Sequence, residues 1–237
     1  MSNIRLFYPE NIIENTTGLL SKEHTHYVVN VMRLKRGSNL NLFNEKGEWS
    51  CEIIFLDKNR VEIKFLKKIK VSTTISNIAL AICLVKKGPM EIILQKATEL
   101  GVCKIIPILS ERTEVKELNF ERAKKIVVEA TEQSNQLKPP EILDLTELKD
   151  LLNNLNESKK LLFADVNSKD NLKKENLNGA SSVIVLIGPE GDFSPAEREL
   201  ILRKSNVVPF KISRNILRSD TAVISAISLV NFINNFH

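Results

Sequence analysis

A continuous apolar run and a second, mostly apolar segment flank a helical pattern in the middle of the chain, and this arrangement restricts the fold more than any other feature. They are NIALAICLV, residues 77–85, and CKIIPIL, residues 103–109. Between them, GPMEIILQKATELG has the apolar spacing of an amphipathic helix and ends at Gly101, a residue that commonly terminates helices. A strand, a helix and a strand at this spacing form a right-handed unit of parallel sheet. The sequence therefore predicts an open α/β domain.

The same alternation of strands and helices continues to the end of the chain. We predict helices at 120–134, 145–155, 194–205 and 219–235, and strands at 159–166, 181–188 and 207–212. In open α/β sheets, ligands bind beyond the carboxyl ends of the strands. The segments FADV, IGPEG and FKISRNILRSD, which end three of these strands, are therefore the candidate binding loops.

The first 70 residues have a different pattern. Short segments rich in β-branched and aromatic residues predict strands at 4–8, 38–44, 48–56 and 60–68, with one helix at 22–37. Several short strands and one helix suggest a small β-barrel. The polar segment KKIKVSTTIS, residues 67–76, follows as a linker, so we predict one domain over residues 1–70 and a second over residues 71–237.

Positive charge is concentrated in the first predicted domain. The whole chain has a net charge of +5, and residues 1–70 contribute +4 of it, with 12 Lys and Arg against 8 Asp and Glu. Such an excess favours an anionic partner, nucleic acid first, although a basic surface that only contacts solvent would give the same count.

Composition and the N-terminal sequence exclude several classes of protein. The chain has no apolar run long enough to cross a membrane, and it does not open with the pattern of a secretory leader. Its three cysteines form no CxxC pair, and its three histidines are too few and too scattered for a metal site. We therefore expect a cytoplasmic protein without a membrane segment or a metal, in which the cysteines are buried as small apolar side chains.

The segment VIVLIGPEGDFSPAERELI, residues 183–201, joins a strand to a helix through a glycine-rich turn. Ser194 and Glu197 have the spacing of a capping box, which fixes the start of the helix. Gly188 and Gly191 allow a ligand to approach the backbone, and the carboxylates in the turn disfavour phosphate. The segment predicts either a plain turn or a loop that holds a neutral or cationic ligand.

A second strand-to-helix connection, ISRNILRSDTAVISA, residues 212–226, has an unusual charge pattern. Arg214 and Arg218 bracket the apolar pair Ile216 and Leu217, and Arg218 stands at a helix N-terminus, where a cation is disfavoured. This pattern predicts either an exposed arginine or a pocket in which Arg218 faces an anionic or electron-rich ligand.

These two segments, in this order, resemble the paired signature of the SPOUT RNA methyltransferases. The pattern is most similar to the RsmE family, which methylates N3 of uracil in 16S ribosomal RNA. HTHYVVNVMRLKRGSNLNLFN resembles the PUA-like domain of that family, and KKGPMEIILQKATELGVCKIIPILSERT and VVEATEQS resemble the first half of its catalytic domain. The resemblance implies a C-terminal trefoil knot, S-adenosylmethionine as cofactor, the small ribosomal subunit as partner, and a homodimer.

The chain departs from the family pattern at four places. Asp192 stands where the family usually has a glycine, and Asn135-Gln136 replaces a usual Gly-Arg. Ser213-Arg214-Asn215 replaces Gly-Pro-Arg, and Asp220 replaces a glutamate in the segment after Arg218. The Asn135-Gln136 change puts one expected RNA-contacting arginine in doubt.

The resemblance also assigns residues to roles. Arg218 would stabilise charge on a uracil carbonyl oxygen, and Asp220 or Glu190 would accept the N3 proton. The cofactor would be held by Phe163, Ala164, Ile187, Gly188, Pro189, Glu190, Gly191, Ile212, Ser213, Ile216, Leu217, Thr221 and Ala222. RNA would be contacted by Arg5, Arg33, Lys35, Arg36 and Arg112. The final helix carries an apolar face, Val223, Ala226, Ile227 and Val230, that is either a dimer interface or ordinary core.

Two other functions remain open at this point. One is a non-catalytic RNA-binding or ribosome-assembly factor that keeps the fold, which would bind RNA without binding the cofactor. The other is a related SPOUT enzyme that acts on transfer RNA.

Overall fold

The chain forms two compact units. The computed structural model describes residues 4–72 and 76–235, and the side chains up to residue 233. The first unit contains the N-terminal segment up to the predicted linker together with Thr131–Lys138, and the second contains the rest. The sequence places the boundary at residue 70 and gives no sign that Thr131–Lys138 belongs to the first unit. Residues 73–75 of the linker lie outside the described residues.

The first unit is built on a five-stranded sheet. Its strands are β1 (Arg5–Phe7), β2 (Thr17–Leu19), β3 (Asn39–Asn44), β4 (Gly47–Leu56) and β5 (Val61–Val71), in the order β1-β3-β4-β5-β2. β1 pairs with β3 in parallel and the other pairs are antiparallel. The sequence predicts four of these strands and misses β2, whose three residues include a glycine.

The helix of this unit is shorter than its sequence predicts. α1 spans Lys22–His26 and continues as a π-helical turn, Tyr27–Val31. Val28 is fully buried, but Val31 is 57% exposed and Met32 is 39% exposed. Only the first of these three residues faces the core, and the helical segment ends at Val31, well before residue 37, where the sequence predicts its end.

The second unit has a parallel sheet. Its strands are β6 (Ile78–Cys83), β7 (Lys104–Leu109), β8 (Glu141–Ile142), β9 (Thr146–Glu147), β10 (Lys159–Ala164), β11 (Ser182–Ile187) and β12 (Val207–Phe210). Their order is β12-β10-β11-β6-β7-β8, with β9 also paired to β7, and every pair is parallel. The open α/β domain predicted from the sequence is confirmed, and the two-residue strands β8 and β9 are additions to it.

Helices cover both faces of this sheet. They are α2 (Lys87–Glu99), α3 (Phe120–Gln133), α4 (Leu148–Asn153), α5 (Pro195–Leu202) and α6 (Ser219–Asn235), and a 3-10 turn spans Lys174–Leu177. Side chains of β6 alternate between the faces: Leu80 and Ile82 pack with residues of α2, α3 and α6, while Ala81 and Cys83 pack with residues of α4 and α5. A strand buried on both faces has to be apolar throughout, which explains the continuous apolar run in the sequence.

The apolar face of α6 belongs to this core. Val223, Ala226, Ile227 and Val230 are all fully buried within the single chain. Of the two readings that the sequence leaves open for this face, the structure supports core packing. Within the described parts of the chain, no helix is both long and apolar enough to cross a membrane.

Candidate active site

A cavity of about 820 Å³ lies at the carboxyl edge of the parallel sheet. β10, β11 and β12 are neighbours in the sheet and run in the same direction, so the loops that follow them reach the same edge. These three loops line the cavity, together with the beginnings of α2 and α6. The position is the one expected for a ligand in an open α/β sheet.

Most of the residues predicted for cofactor binding line this cavity. They are Ala164, Ile187, Gly188, Pro189, Glu190, Gly191, Ile212, Ser213, Ile216, Leu217 and Ala222, and the predicted catalytic residues Arg218 and Glu190 join them. The structure thus brings together three loops that are far apart in the sequence.

Three predicted residues are not among those that line the cavity. Phe163 is fully buried, with its ring centroid 5.6 Å from that of Phe193, so it supports the loop from the core. Thr221 is exposed on the first turn of α6, and its backbone N–H donates to the carboxylate of Asp220 at 2.8 Å. The third residue is Asp220. Helical periodicity explains why Asp220 and Thr221 do not line the cavity, whereas Arg218 and Ala222, at the same end of α6, do.

Several lining residues are missed by the sequence reasoning. They are Lys86, Pro89, Asp165, Val166, Asp192, Lys211, Asn215 and Ser219. Lys86 and Pro89 follow β6, which pairs with β11, so the rule that ligands bind at strand ends could have included them. Asp165 and Val166 stand in the FADV segment, from which the sequence predicts only Phe163 and Ala164 as cofactor-binding residues.

The loop after β11 is fixed by the predicted capping box. The Ser194 hydroxyl accepts the backbone N–H of Glu197 at 3.2 Å, and the Glu197 carboxylate accepts the backbone N–H of Ser194 at 3.0 Å. The other carboxylate oxygen of Glu197 accepts the backbone N–H of Glu111, in the loop after β7, at 2.8 Å. Glu197 is only 5% exposed, so one buried carboxylate ties two loops together.

The glycine at position 188 is required by the protein itself. A Cβ atom there would come within 3.0 Å of the Phe193 ring, closer than such contacts normally are. Phe193 is buried against Phe163, so it has little room to move. The side of Gly188 on which a Cβ atom would stand is therefore occupied by Phe193, while the residue itself lines the cavity.

Backbone geometry explains two of the departures from the family pattern. Asp192 has φ +56° and Asn135 has φ +66°, both in the left-handed region that glycine adopts most readily. Asp and Asn are the other residues that tolerate this region, because their short side chains bond to the local backbone. The Asp192 carboxylate accepts the N–H of Phe193 at 2.8 Å. Each replacement therefore keeps the backbone shape that a glycine would allow.

A buried ion pair supports the loop after β10. The Arg198 guanidinium donates to one Asp165 carboxylate oxygen at 2.7 Å and 3.1 Å, and the Asn167 N–H bonds to the other oxygen at 2.9 Å. The Asp165 side chain is 1% exposed. Hydrogen bonding to Asp165 raises the pKa of Arg198. It links the loop after β10 to α5.

Arg218 and Glu190 line the cavity from two different loops, and both residues are exposed. The Arg218 carbonyl accepts the N–H of Ala222 at 2.8 Å, which puts Arg218 immediately before α6 and Ser219 in its first turn. A cation and a carboxylate that line the same cavity can act on one ligand, the cation by stabilising negative charge and the carboxylate by accepting a proton.

The predicted RNA contacts of the first unit have two different environments. Arg33, Lys35 and Arg36 are exposed in the segment after the π-helical turn. Arg5 is not: its side chain is 11% exposed and donates to the Glu48 carboxylate at 3.0 Å. Arg5 also donates to the carbonyls of Glu132 at 2.9 Å and Gln136 at 2.8 Å. A phosphate would have to replace these partners, so we leave Arg5 out of the RNA-binding proposal.

Comparison with known proteins gives matches over nearly the whole chain. A family model described as an RNA methyltransferase domain matches residues 72–231, and one described as an RNA methyltransferase PUA domain matches residues 20–66. Among the described residues, no group of three or more His, Cys, Asp or Glu side chains could hold a metal ion.

Individual relatives agree with the family models. The chain is 33% identical to the ribosomal RNA small subunit methyltransferase E of Rickettsia conorii, over 98% of this chain and 96% of that protein. It is 31% identical to the protein of the same name in Aquifex aeolicus, over 97% of this chain and all of that protein. The solved structure of the Neisseria gonorrhoeae enzyme, bound to S-adenosylmethionine, superimposes with a TM-score of 0.89 at 26% identity, covering 98% of both chains.

Proposed function

Because this chain belongs to the ribosomal RNA small subunit methyltransferase E family, we propose that it methylates ribosomal RNA of the small subunit with S-adenosylmethionine as the methyl donor. The acceptor would be N3 of a uridine, as the resemblance of its paired loop signature implies. The observation that carries this proposal is the cavity at the carboxyl edge of the sheet, which is lined by both signature loops. A ribosomal substrate would place the enzyme in the cytoplasm.

The residues that line the cavity suit this cofactor. Its volume of about 820 Å³ lies within the range of small-molecule sites. Ile187, Ile212 and Leu217 provide apolar surface, while Glu190 and Asp192 provide negative charge on the loop after β11. The carboxylates on the loop after β11 favour a cationic centre beside that loop, and the cations Lys86, Lys211 and Arg218, which also line the cavity, suit a carboxylate elsewhere on the same ligand. S-adenosylmethionine supplies a methyl group on a positively charged sulfur, which is electrophilic without a metal.

Arg218 and Glu190 would complete the reaction. Methyl transfer to N3 forms an N–CH3 bond, breaks the S–CH3 bond, and requires the N3 proton to leave. Arg218 would stabilise the negative charge that builds on the neighbouring uracil oxygen, and Glu190 would accept the proton. We prefer Glu190 to Asp220 because Glu190 lines the cavity, whereas Asp220 does not and bonds to its own helix turn.

Single-turnover methylation of small ribosomal subunits, with calorimetry of cofactor binding alongside, tests this proposal. We expect Arg218→Ala to lower the rate by about 100-fold while cofactor affinity changes little. Glu190→Gln should lower the rate by about 100-fold and also weaken cofactor binding, by a smaller factor, because its carboxylate lines the same cavity. The matched control is Glu199→Gln, which removes an exposed carboxylate on α5 outside the cavity. Asp220→Asn decides between the two carboxylates. A wild-type protein that binds no cofactor would refute the function, and a normal rate for Glu190→Gln would refute its role.

The cations of the first unit would bind the RNA backbone. Arg33, Lys35 and Arg36 lie within four residues of one another and are all exposed. Their contacts with phosphate would make RNA affinity fall as salt concentration rises. The N3 atom of a paired uracil is hidden inside the base pair, so the target base has to be unpaired or flipped out.

Three finer features follow from the family and stay proposals for this chain. The first unit would close as a PUA-like barrel, and the loops after β10, β11 and β12 would thread as a trefoil knot, which their convergence on one cavity supports. A crystallographic trace of residues 159–222 tests the threading. We also propose a homodimer, and the mass from light scattering tests it. Its interface would use another surface than the buried face of α6.

A further inference from the structure

We propose that Arg112 is a positioning residue that holds the loop after β11 in its ligand-binding shape. This inference rests on the proposed function, because the loop it acts on is the proposed cofactor loop. The sequence predicts a different role for Arg112, as a phosphate contact. The geometry of the turn that carries it, Ser110–Thr113, favours the positioning role.

The Ser110–Thr113 turn is internally fixed. The Thr113 hydroxyl oxygen accepts the Ser110 N–H at 3.0 Å and lies 2.8 Å from the Ser110 hydroxyl. Ser110 is 5% exposed and Thr113 is 2% exposed, so both anchors are buried at the end of β7. A turn closed by two buried hydroxyls holds the intervening pair, Glu111 and Arg112, in one orientation.

Both intervening residues contact the segment that follows β11. The Glu111 N–H donates to the buried Glu197 carboxylate at 2.8 Å. Nη1 of Arg112 donates to the carbonyl oxygen of Gly191 at 3.0 Å. The turn therefore bonds to this segment at two points, one in the loop and one at the start of α5.

The stem of Arg112 also covers Gly191. A Cβ atom added to Gly191 would lie 3.9 Å from both Cβ and Cδ of Arg112, which is ordinary van der Waals distance. The bare side of Gly191 thus faces an arginine stem, as the bare side of Gly188 faces the Phe193 ring. Gly188 is packed tightly against Phe193, whereas Gly191 is exposed with the Arg112 stem beside it. Losing Arg112 would free the Gly191 peptide, which lines the cavity.

The test is cofactor affinity in the absence of RNA, measured by calorimetry with S-adenosylmethionine on the full chain. We expect Arg112→Ala to weaken binding by about 3- to 10-fold, the effect of one exposed hydrogen bond and its packing. Arg112→Lys keeps a stem and one donor and should recover most of the affinity. Arg112→Met keeps the stem alone and should fall between them. The matched control is Lys116→Ala, an exposed cation of the same segment.

RNA binding measured on the same variants separates the two roles. For a positioning residue, Arg112→Ala raises KM for the cofactor and leaves RNA affinity without cofactor unchanged. If Arg112→Ala binds the cofactor as the wild type does but loses RNA affinity, the residue is a phosphate contact and the inference is wrong. If the wild type binds RNA but no cofactor, the proposed function fails, and this inference fails with it.

Discussion

Arg5 offers the sharpest test of the structural reasoning, because its predicted and observed environments differ. We consider Arg5→Met, which keeps an apolar stem and removes the guanidinium. Among the described residues, the change leaves the Glu48 carboxylate, 6% exposed, with the Asn41 amide as its only side-chain partner, at 2.8 Å. It also removes a cation 4.2 Å from the centre of the Phe43 ring. Removing one partner of a buried ion pair costs about 3–5 kcal/mol, so we expect about 4 kcal/mol.

Urea unfolding followed by tryptophan fluorescence measures this loss of stability in the first unit, where the change is made. Trp49 is the single tryptophan of the chain, is 4% exposed, and lies in β4 of the first unit. For a unit of this size the urea m-value is about 1–1.5 kcal/mol/M, so the midpoint should fall by about 3 M. Adding Glu48→Gln to Arg5→Met should restore part of the loss, because the buried charge is then gone.

The control uses an exposed pair of the same type in the same unit. Arg60 and Glu62 form an ion pair in which the arginine side chain is 58% exposed. Such surface pairs contribute about 0–1 kcal/mol, so Arg60→Met should shift the midpoint by less than about 1 M. If Arg5→Met shifted the midpoint no more than Arg60→Met does, the buried-pair account of Arg5 would be refuted.

Two further predictions concern the second loop and the cysteines. Asp192→Gly should keep the stability of the protein, whereas Asp192→Val should lose about 1–3 kcal/mol at this left-handed position; equal urea midpoints for both would contradict the strain argument. Burial raises the pKa of Cys51 and Cys83 from 9.0 to about 12, so their contribution to stability is complete below about pH 9 and is lost as pH rises toward 12. At pH 8 a disulfide reagent should label the half-buried Cys103 first, and equal labelling of all three would count against this.

Strand pattern predicts most of the second unit, since its strands are buried on both faces and read as apolar runs. The two-residue strands β8 and β9 are too short to show a strand pattern in the sequence. They form by pairing with β7. Gly101 is predicted as a helix stop and does have φ +85° just beyond α2. A glycine that ends a helix can be predicted from the sequence because its effect depends only on neighbouring residues.

Contacts between distant residues are what the sequence does not reveal. The positive charge of Arg5 suggests phosphate, and nothing nearby indicates that Glu132 and Gln136 will meet it. Likewise, Gly188 and Gly191 indicate that some group lies close to the backbone there. The sequence does not show that side chains of the protein, Phe193 and Arg112, are among those groups. The loops of the cavity could be selected from the strand-end rule and from the family resemblance, while the residues that support those loops could not.

The chain returns to the first unit at Thr131–Lys138, and this affects how that unit folds during synthesis. A ribosome synthesises the strands β1–β5 well before this segment, so the nascent unit has Arg5 and Glu48 in place without the carbonyls that Arg5 finally contacts. Domains usually fold as units in the order of synthesis. Here the N-terminal unit can complete its folding only after residue 138 has left the ribosome, when more than half of the chain has been translated.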